Sequence, residues 1–310
     1  MKIAISIGDL NGVGVEIALK AHKQIKTLCK PYYIISQSML TQASKLLDLP
    51  IPNDFQTIDV GDDFTITPSQ ATQSSGKYSY DSFIKAIDLA KQKQVDAITT
   101  LPINKEAWHK AGILYKGHTD ALADIFDKEA IMMIGCQKLF VALFTHHIPL
   151  KRVASKINVK DLKEFMINLY AEIKEEKIAV LGLNPHAGDG GILGDEETII
   201  KKAIRDANNF LKEDIFIGPL VPDTAFTPHI QNHIHYYVCM YHDQGLIPVK
   251  TLYFDESINV SLNLPIIRTS VDHGTAYDKA YQHKEISLKS YINAIKEAVR
   301  LAEKKLKYNI

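Results

Sequence analysis

Long apolar runs are missing from this chain. None approaches the roughly 20 residues that a helix needs to cross a bilayer, and the first apolar stretch, KIAISI (2–7), meets Gly8 and Asp9 too early for a secretory signal core. A cytoplasmic protein with no membrane partner is the expectation. Charge of one sign is missing too: Lys plus Arg and Asp plus Glu both number 36 over 310 residues. No global field therefore draws in nucleic acid or anionic lipid, and any anion recognition must be local. Cysteine is scarce, and Cys29, Cys136 and Cys239 are odd in number and far apart. That argues against a disulfide framework and for reduced, buried thiols. Low-complexity tracts and short repeats are also absent, and an apolar fraction of 46% with 23% charged residues is ordinary globular composition. Histidine is the outlier, with 12 copies, several of them at the ends of apolar runs.

Periodicity then gives the class. KIAISI reads as a strand, followed by a glycine-rich turn and a helical NGVGVEIALKAHKQI. The alternation continues through YYIIS (32–36), an amphipathic helix over 80–94, VDAITTLP (95–102) and NKEAWHKAG, whose glycine is a helix stop. Apolar runs at 130–135 and 139–145 follow, then the helical DLKEFMINLYAEIKEE, KIAVLGLNPH, a helix from about Asp195 to Leu211, DIFIGPL and YYVCMYH. An amphipathic helix for packing closes the chain. Strands alternating with helices predict an α/β protein with a largely parallel sheet, whose ligands collect beyond the carboxyl ends of the strands. Polar groups recur there: Gly8-Asp9, Pro102 to Lys105, His146-His147, Asn184 to His186, and His242-Asp243, after which the chain is expected to turn at Gly245.

His147, His186 and His242 each end an apolar run. Three neutral imidazoles from three strand ends would make a divalent-metal site with positions left for substrate; the alternative is three unrelated strand-end histidines. His233 and His235, two apart, form a rival pair. The loop NPHAGDGGILGDEE (184–197) concentrates glycines before an acidic helix start, as a ligand loop or a helix entry would. Lys250, Asn259 and Arg268 can fix phosphate and carboxylate together, or can be surface polar residues. His118 and Thr119 precede a helix, where main-chain donors favour an anion, and Thr119 can equally be its cap. GDLNGVG (8–14) lacks the GxGxxG spacing, so a standard dinucleotide loop is not read from it, and no cofactor-binding residue is assigned.

Taken in order, SIGDLNGVGVEI, TTLPINKEA, GHTDALAD, THHIPL, LNPHAGDGGILGDEE, GPLVPDTAF, MYHDQGLIPVK and NLPIIRTSVDHGTAYDKA resemble the PdxA family of 4-hydroxythreonine-4-phosphate dehydrogenases, over roughly residues 4 to 280. The resemblance implies two α/β/α subdomains flanking a cleft, as in isocitrate and isopropylmalate dehydrogenases. The first would take residues 1–130 plus 272–310, the second 131–271, with the active site in the cleft. It implies a homodimer with that site at the subunit interface, NAD or NADP as cofactor, and a divalent ion (Zn, Mg or Co). The family's metal ligands fall on His147, His186 and His242, and its substrate-binding residues on His118, Thr119, Lys250, Asn259 and Arg268. The family's opening loop commonly reads GDPAGIGPE; here both prolines are absent, and Leu10, Asn11, Val13 and Val15 depart from it.

The implied reaction oxidises 4-phosphooxy-L-threonine at C3 and decarboxylates the product to 3-amino-2-oxopropyl phosphate, a step of pyridoxal 5'-phosphate (vitamin B6) biosynthesis. Asp243 can orient a ligand or relay a proton, or can cap the turn. Asp272 and His273 can help assemble the site or serve a turn. The competing readings are a paralogue acting on 4-phospho-threonate or 4-phospho-erythronate, a non-redox three-histidine metal hydrolase, and a catalytically idle binding protein.

Overall fold

The structure is a computed structural model that describes residues 1–308. The chain divides into two compact units, residues 1–130 with 258–307 and residues 131–257 with Tyr308. It opens with β1 (Lys2–Ser6), α1 (Gly14–Leu28), β2 (Lys30–Ile34), α2 (Gln37–Leu47), β3 (Thr57–Ile58), α3 (Gln73–Lys91), β4 (Ala97–Thr100), α4 (Lys105–Lys110) and α5 (His118–Phe126). β1 and β4 are β-branched and apolar and lie buried nearly throughout, as parallel strands covered on both faces must be. α3 begins at Gln73, seven residues before the expected 80. Thr72 sets that start, its hydroxyl accepting from Ser75 N at 3.1 Å, and the polar QSSGK first turn hides the helix from apolar periodicity.

The second unit holds β5 (Ile131–Cys136), β6 (Leu139–Leu143), α6 (Val153–Lys156), α7 (Val159–Ile173), β7 (Ile178–Leu181), α8 (Glu196–Leu211), β8 (Phe216–Leu220), α9 (Pro228–Gln231), β9 (Tyr236–Cys239) and α10 (His242–Tyr253). Its strands run in the order β5-β6-β9-β7-β8. β5 and β6 form an antiparallel hairpin, and the remaining neighbours are parallel. Its core packs Val141, Leu143, Ala179, Leu181, Tyr237, Cys239 and Val249 together. The expected turn at Gly245 is not there: α10 runs through both Gly245 and Pro248. A Cβ on Gly245 would stand 2.9 Å from Cγ2 of Val141 and 3.0 Å from Sγ of Cys239, so the glycine is the close approach that seats α10 on β6 and β9 rather than a chain reversal.

The chain then adds β10 (Ile258–Leu262), β11 (Arg268–Val271) and α11 (Lys289–Tyr308). The return to the first unit comes at Ile258 and not at residue 272, because β10 and β11 form an antiparallel hairpin whose second strand pairs in parallel with β4. The last two residues of the expected 272–310 segment lie outside the described residues. The first unit's strand order is β3-β2-β1-β4-β11-β10. Its core includes Ala4, Ile34, Phe83, Ile98, Trp108, Leu122 and Leu264. Among the described residues, no helix is long and apolar enough to cross a membrane.

Candidate active-site residues

In the first unit, strand register gathers polar side chains on one face. Asn259 pairs with Ser270 and Ser261 with Arg268 across the hairpin, while Ser270 pairs with Thr100 of β4. Paired residues and residues two apart share a sheet face, so Thr100, Ser270, Asn259, Ser261 and Arg268 all do. Arg268 is only 2% exposed. Its Nε and Nη2 donate to Thr100 Oγ1 at 3.2 and 2.8 Å, and its Nη1 donates to Ser261 Oγ at 3.0 Å. All three bonds go to neutral hydroxyls. Burial pushes the guanidinium down to about 9, the mark of a cation that is shielded from water without a counter-charge.

His118 opens α5 after Gly117, whose backbone is in a conformation that favours glycine. The imidazole is buried between Phe83 and Trp108, with ring centres 4.5 and 5.4 Å away and both contacts edge-on. Burial, and then the charge of Arg268, hold its pKa well below 6.5, so it is a neutral ring near neutral pH. Its Nε2 and the Oδ1 of Asn259 are buried without hydrogen-bond partners. Thr119, the next residue of α5, is half-buried. A buried cation, a neutral imidazole and an amide with unused bonding capacity suit an oxyanion carrying further polar groups.

The opening loop belongs to the same unit and is an anchor. Asp9 is fully buried and accepts from Asn11 N at 2.9 Å, Tyr277 OH at 2.9 Å and Ser75 Oγ at 3.3 Å. Burial raises its pKa against those bonds. Asn11, one of the departures from the common family loop, donates to Gln70 O at 2.8 Å and accepts from Thr67 N at 3.0 Å. It fastens the 67–72 segment in place. Asp272, also in this unit, is held through its main chain, its N donating to Ser290 Oγ at 3.1 Å.

The second unit brings two of the three histidines together. His147 follows β6 in the left-handed region at φ 51°, and His242 is the first residue of α10. Their ring centres are 5.7 Å apart. They line a recess of about 280 Å³ with Thr145, His146, Tyr241 and Asp243. Thr145 Oγ1 donates to Met240 O at 2.6 Å, tying the two loops. Asp243 Oδ1 lies 2.7 Å from His242 Nδ1.

His186 stands on an exposed segment, and every residue from His186 to Gly190 has positive φ. Glu197 organises the entry to that segment. Its Oε1 accepts from Leu183 N and Asn184 N at 2.9 and 2.7 Å, and its Oε2 accepts from Asn184 Nδ2 at 3.0 Å. Burial works to raise this carboxyl, and the bonds from Asn184 and Leu183 outweigh it, leaving it below its ordinary 4.5. Gln244 ties the same loop to the histidine helix, accepting from Met240 N at 2.7 Å and donating to Gly182 O at 2.8 Å. Lys250 of α10 reaches Ser257 Oγ at 3.4 Å and lies 5.2 Å from the ring centre of Phe254.

Two imidazole nitrogens each about 2.1 Å from a tetrahedral ion put their ring centres roughly 5 Å apart, so the His147 and His242 rings stand near the spacing a shared ion needs. Among the described residues, no three His, Cys, Asp or Glu side chains are gathered closely enough to hold an ion. His186 does not line the recess. His233 sits beside His229, with ring centres 6.0 Å apart. His235 Nδ1 instead lies 3.2 Å from Lys138 O, so the rival pair is not brought together on one ligand. Sequence reading passed over Thr100, Ser261, Glu197 and Gln244. Only Thr100, polar inside the apolar VDAITTLP, and Glu197, in the acidic helix start after the glycine loop, carried a visible signal.

The fold is thus a mixed α/β type with a polar cluster built on strand ends in each unit. The family model for pyridoxal phosphate biosynthetic protein PdxA matches residues 27–298, and the chain belongs to that family. It is 60% identical over 304 residues to 4-hydroxythreonine-4-phosphate dehydrogenase of Sulfurimonas denitrificans, covering 98% of this chain and 99% of the relative. It is 54% identical over 303 residues to the protein of the same name from Campylobacter fetus, covering 97% and 98%. Among solved structures, that of 4-hydroxythreonine-4-phosphate dehydrogenase from Klebsiella pneumoniae matches with a TM-score of 0.81 at 32% identity, covering 97% of this chain and 99% of that one.

Proposed function

We propose that this protein is an oxidoreductase of pyridoxal phosphate biosynthesis that oxidises 4-phosphooxy-L-threonine at C3 with NAD or NADP, followed by decarboxylation to 3-amino-2-oxopropyl phosphate. Near-complete coverage at 60% identity to a relative named for that dehydrogenase supports the reaction. The observation that carries the substrate reading is the buried, uncompensated Arg268 beside the neutral His118. Such a pair binds an anionic substrate without giving up a proton of its own. Thr119 and Asn259 add a hydroxyl and an amide, and Lys250 is taken as a further substrate-binding cation.

A divalent ion (Zn, Mg or Co) would be held by His147, His186 and His242; the spacing of the His147 and His242 rings supports two of these directly. When bound, it would supply positive charge that lowers the pKa of the substrate hydroxyl and stabilises the anion left by decarboxylation. Neutral imidazoles preserve that charge, where carboxylate ligands would cancel part of it. Asp243 fixes the His242 ring through Nδ1, leaving Nε2 as the ligating nitrogen. Asp272 remains a candidate for site assembly through the loop it begins.

The active protein is a homodimer with the site at the subunit interface. Supporting this, Ile247, Leu252 and Phe254 are 65%, 50% and 68% exposed on or beside α10, the helix that carries His242 and Lys250. A second copy would cover them, and an interface site would also give His186 a route to completing the ligand set. We place the enzyme in the cytoplasm.

Steady-state turnover of 4-phosphooxy-L-threonine, 4-phospho-threonate and 4-phospho-erythronate with NAD⁺ and NADP⁺ tests this, with and without chelator and with each divalent ion added back. Reduction of either cofactor with the threonine phosphate, lost on chelation and restored by metal, is the expected result. Turnover of the sugar-acid phosphates alone would transfer the assignment to the paralogue, and metal-dependent hydrolysis without cofactor would make it a hydrolase.

A further inference from the structure

We propose that Thr100 and Ser261 are positioning residues for Arg268: their hydroxyls aim the guanidinium while leaving its charge for an oxyanion of the ligand to neutralise. The inference rests on the substrate reading of Arg268 given above and adds what makes that residue selective.

An arginine that is 2% exposed ordinarily meets a carboxylate, because burying an uncompensated charge is costly. Here the strand pairings put two hydroxyls where a carboxylate would serve stability better. Ser261 is the direct cross-strand partner of Arg268, and Thr100 is the β4 neighbour of Ser270, two residues further along β11. Both are themselves buried, at 2% and 0% exposure. Thr100 Oγ1 takes bonds from two different guanidinium nitrogens, so it fixes the plane of the fork. Ser261 takes one from the third nitrogen and fixes its far edge. Three of five donors are used, and two are left to the ligand.

The surroundings keep those two donors for an anion. His118 Nε2 and Asn259 Oδ1 are buried without hydrogen-bond partners, so neither takes up a guanidinium donor, and neither group carries a negative charge. A ligand that brings a phosphate or carboxylate therefore supplies both missing charge and missing bonds. A neutral isostere supplies neither and leaves the buried donors stranded, the condition under which a polar site discriminates most strongly.

The test reads anion binding apart from turnover. The intact protein is titrated calorimetrically with inorganic phosphate and, separately, with acetate, the two arms distinguishing a phosphate from a carboxylate as the bound group. Thr100→Val, which keeps the shape and deletes the acceptor, is expected to weaken binding of the preferred anion about tenfold or more. It should raise KM for 4-phosphooxy-L-threonine more than it lowers kcat. Thr100→Ser should stay within about threefold of the wild type. Ser261→Ala, removing a single acceptor, should weaken binding in the same direction, and it carries the test if Thr100→Val does not fold. Wild-type protein that binds neither anion overturns the proposal. So do Thr100→Val or Ser261→Ala proteins that bind as the wild type does, or a Thr100→Ser protein as weak as Thr100→Val. Wild type that binds the anion as expected, with the expected losses in the variants, but reduces neither nicotinamide cofactor supports this proposal and overturns the dehydrogenase reading.

Discussion

Asp243 Oδ1 lies 2.7 Å from Nδ1 of His242, the residue before it, at the start of α10. The carboxylate therefore sets the ring's orientation and tautomer. It also sits in the first turn of a helix, where negative charge is favoured by the dipole. The two roles separate on substitution. Asp243→Asn is expected to lower divalent-metal affinity about 10- to 100-fold in a competition titration against a chelating dye. A drop in melting temperature with unchanged metal affinity would leave only the helix-dipole role.

Glu197 is expected to matter far beyond its own helix. Glu197→Gln replaces a charged acceptor of the Leu183 and Asn184 amides with a weaker one that also presents a donor. A loss of about 1–3 kcal/mol is expected, read as a lower denaturation midpoint. Amide exchange at residues 183 and 184 should rise above that of the sheet. Exchange unchanged at those two positions would show that the loop is held by other means.

Acid should weaken the first unit through His118. Its folded-state pKa is depressed, so above about 6.5 neither folded nor unfolded chain binds the proton, and the ring contributes no pH dependence. Below that value the unfolded chain takes up a proton that the folded chain refuses, and stability falls as pH falls toward the folded-state pKa. His118→Asn should flatten that part of the stability profile between pH 6.5 and 5. A slope identical to wild type there would contradict the buried, neutral ring.

Gly245→Ala is expected to cost about 1–3 kcal/mol, because the added methyl meets Val141 and Cys239 at contacts of 2.9 and 3.0 Å. The helix must move off β6 and β9 to admit it, carrying His242 and Lys250 along. Metal affinity should fall together with the melting temperature. A stable Gly245→Ala protein with native metal binding would mean that α10 is not the element placing His242.

Strand ends were legible in the sequence and the hairpin at 258–271 was not. His147, His186 and His242 follow β6, β7 and β9 much as their apolar runs announced. By contrast, Asn259, Ser261 and Arg268 turn polar groups inward on β10 and β11, which erases the apolar signature of those strands and shifts the unit boundary. α10 was hidden for another reason. Gly245 and Pro248 are helix breakers by propensity, but packing against Val141 and the two bonds of Gln244 hold the turn that contains the glycine. α2 went unread, although its capping serine, Ser36, accepts from Met39 N at 3.3 Å. The Arg268 arrangement depends on neutral hydroxyls brought from two other strands, and no linear pattern encodes that meeting.

The indole of Trp108 touches His118 edge-on, and its Nε1 donates to Ser79 Oγ at 2.8 Å. It is the chain's one tryptophan. A single indole is thus set against the ring proposed to meet the substrate anion, so ligand arrival there should alter the ultraviolet emission of the unlabelled protein, and a stopped-flow instrument can time that arrival before any redox chemistry begins.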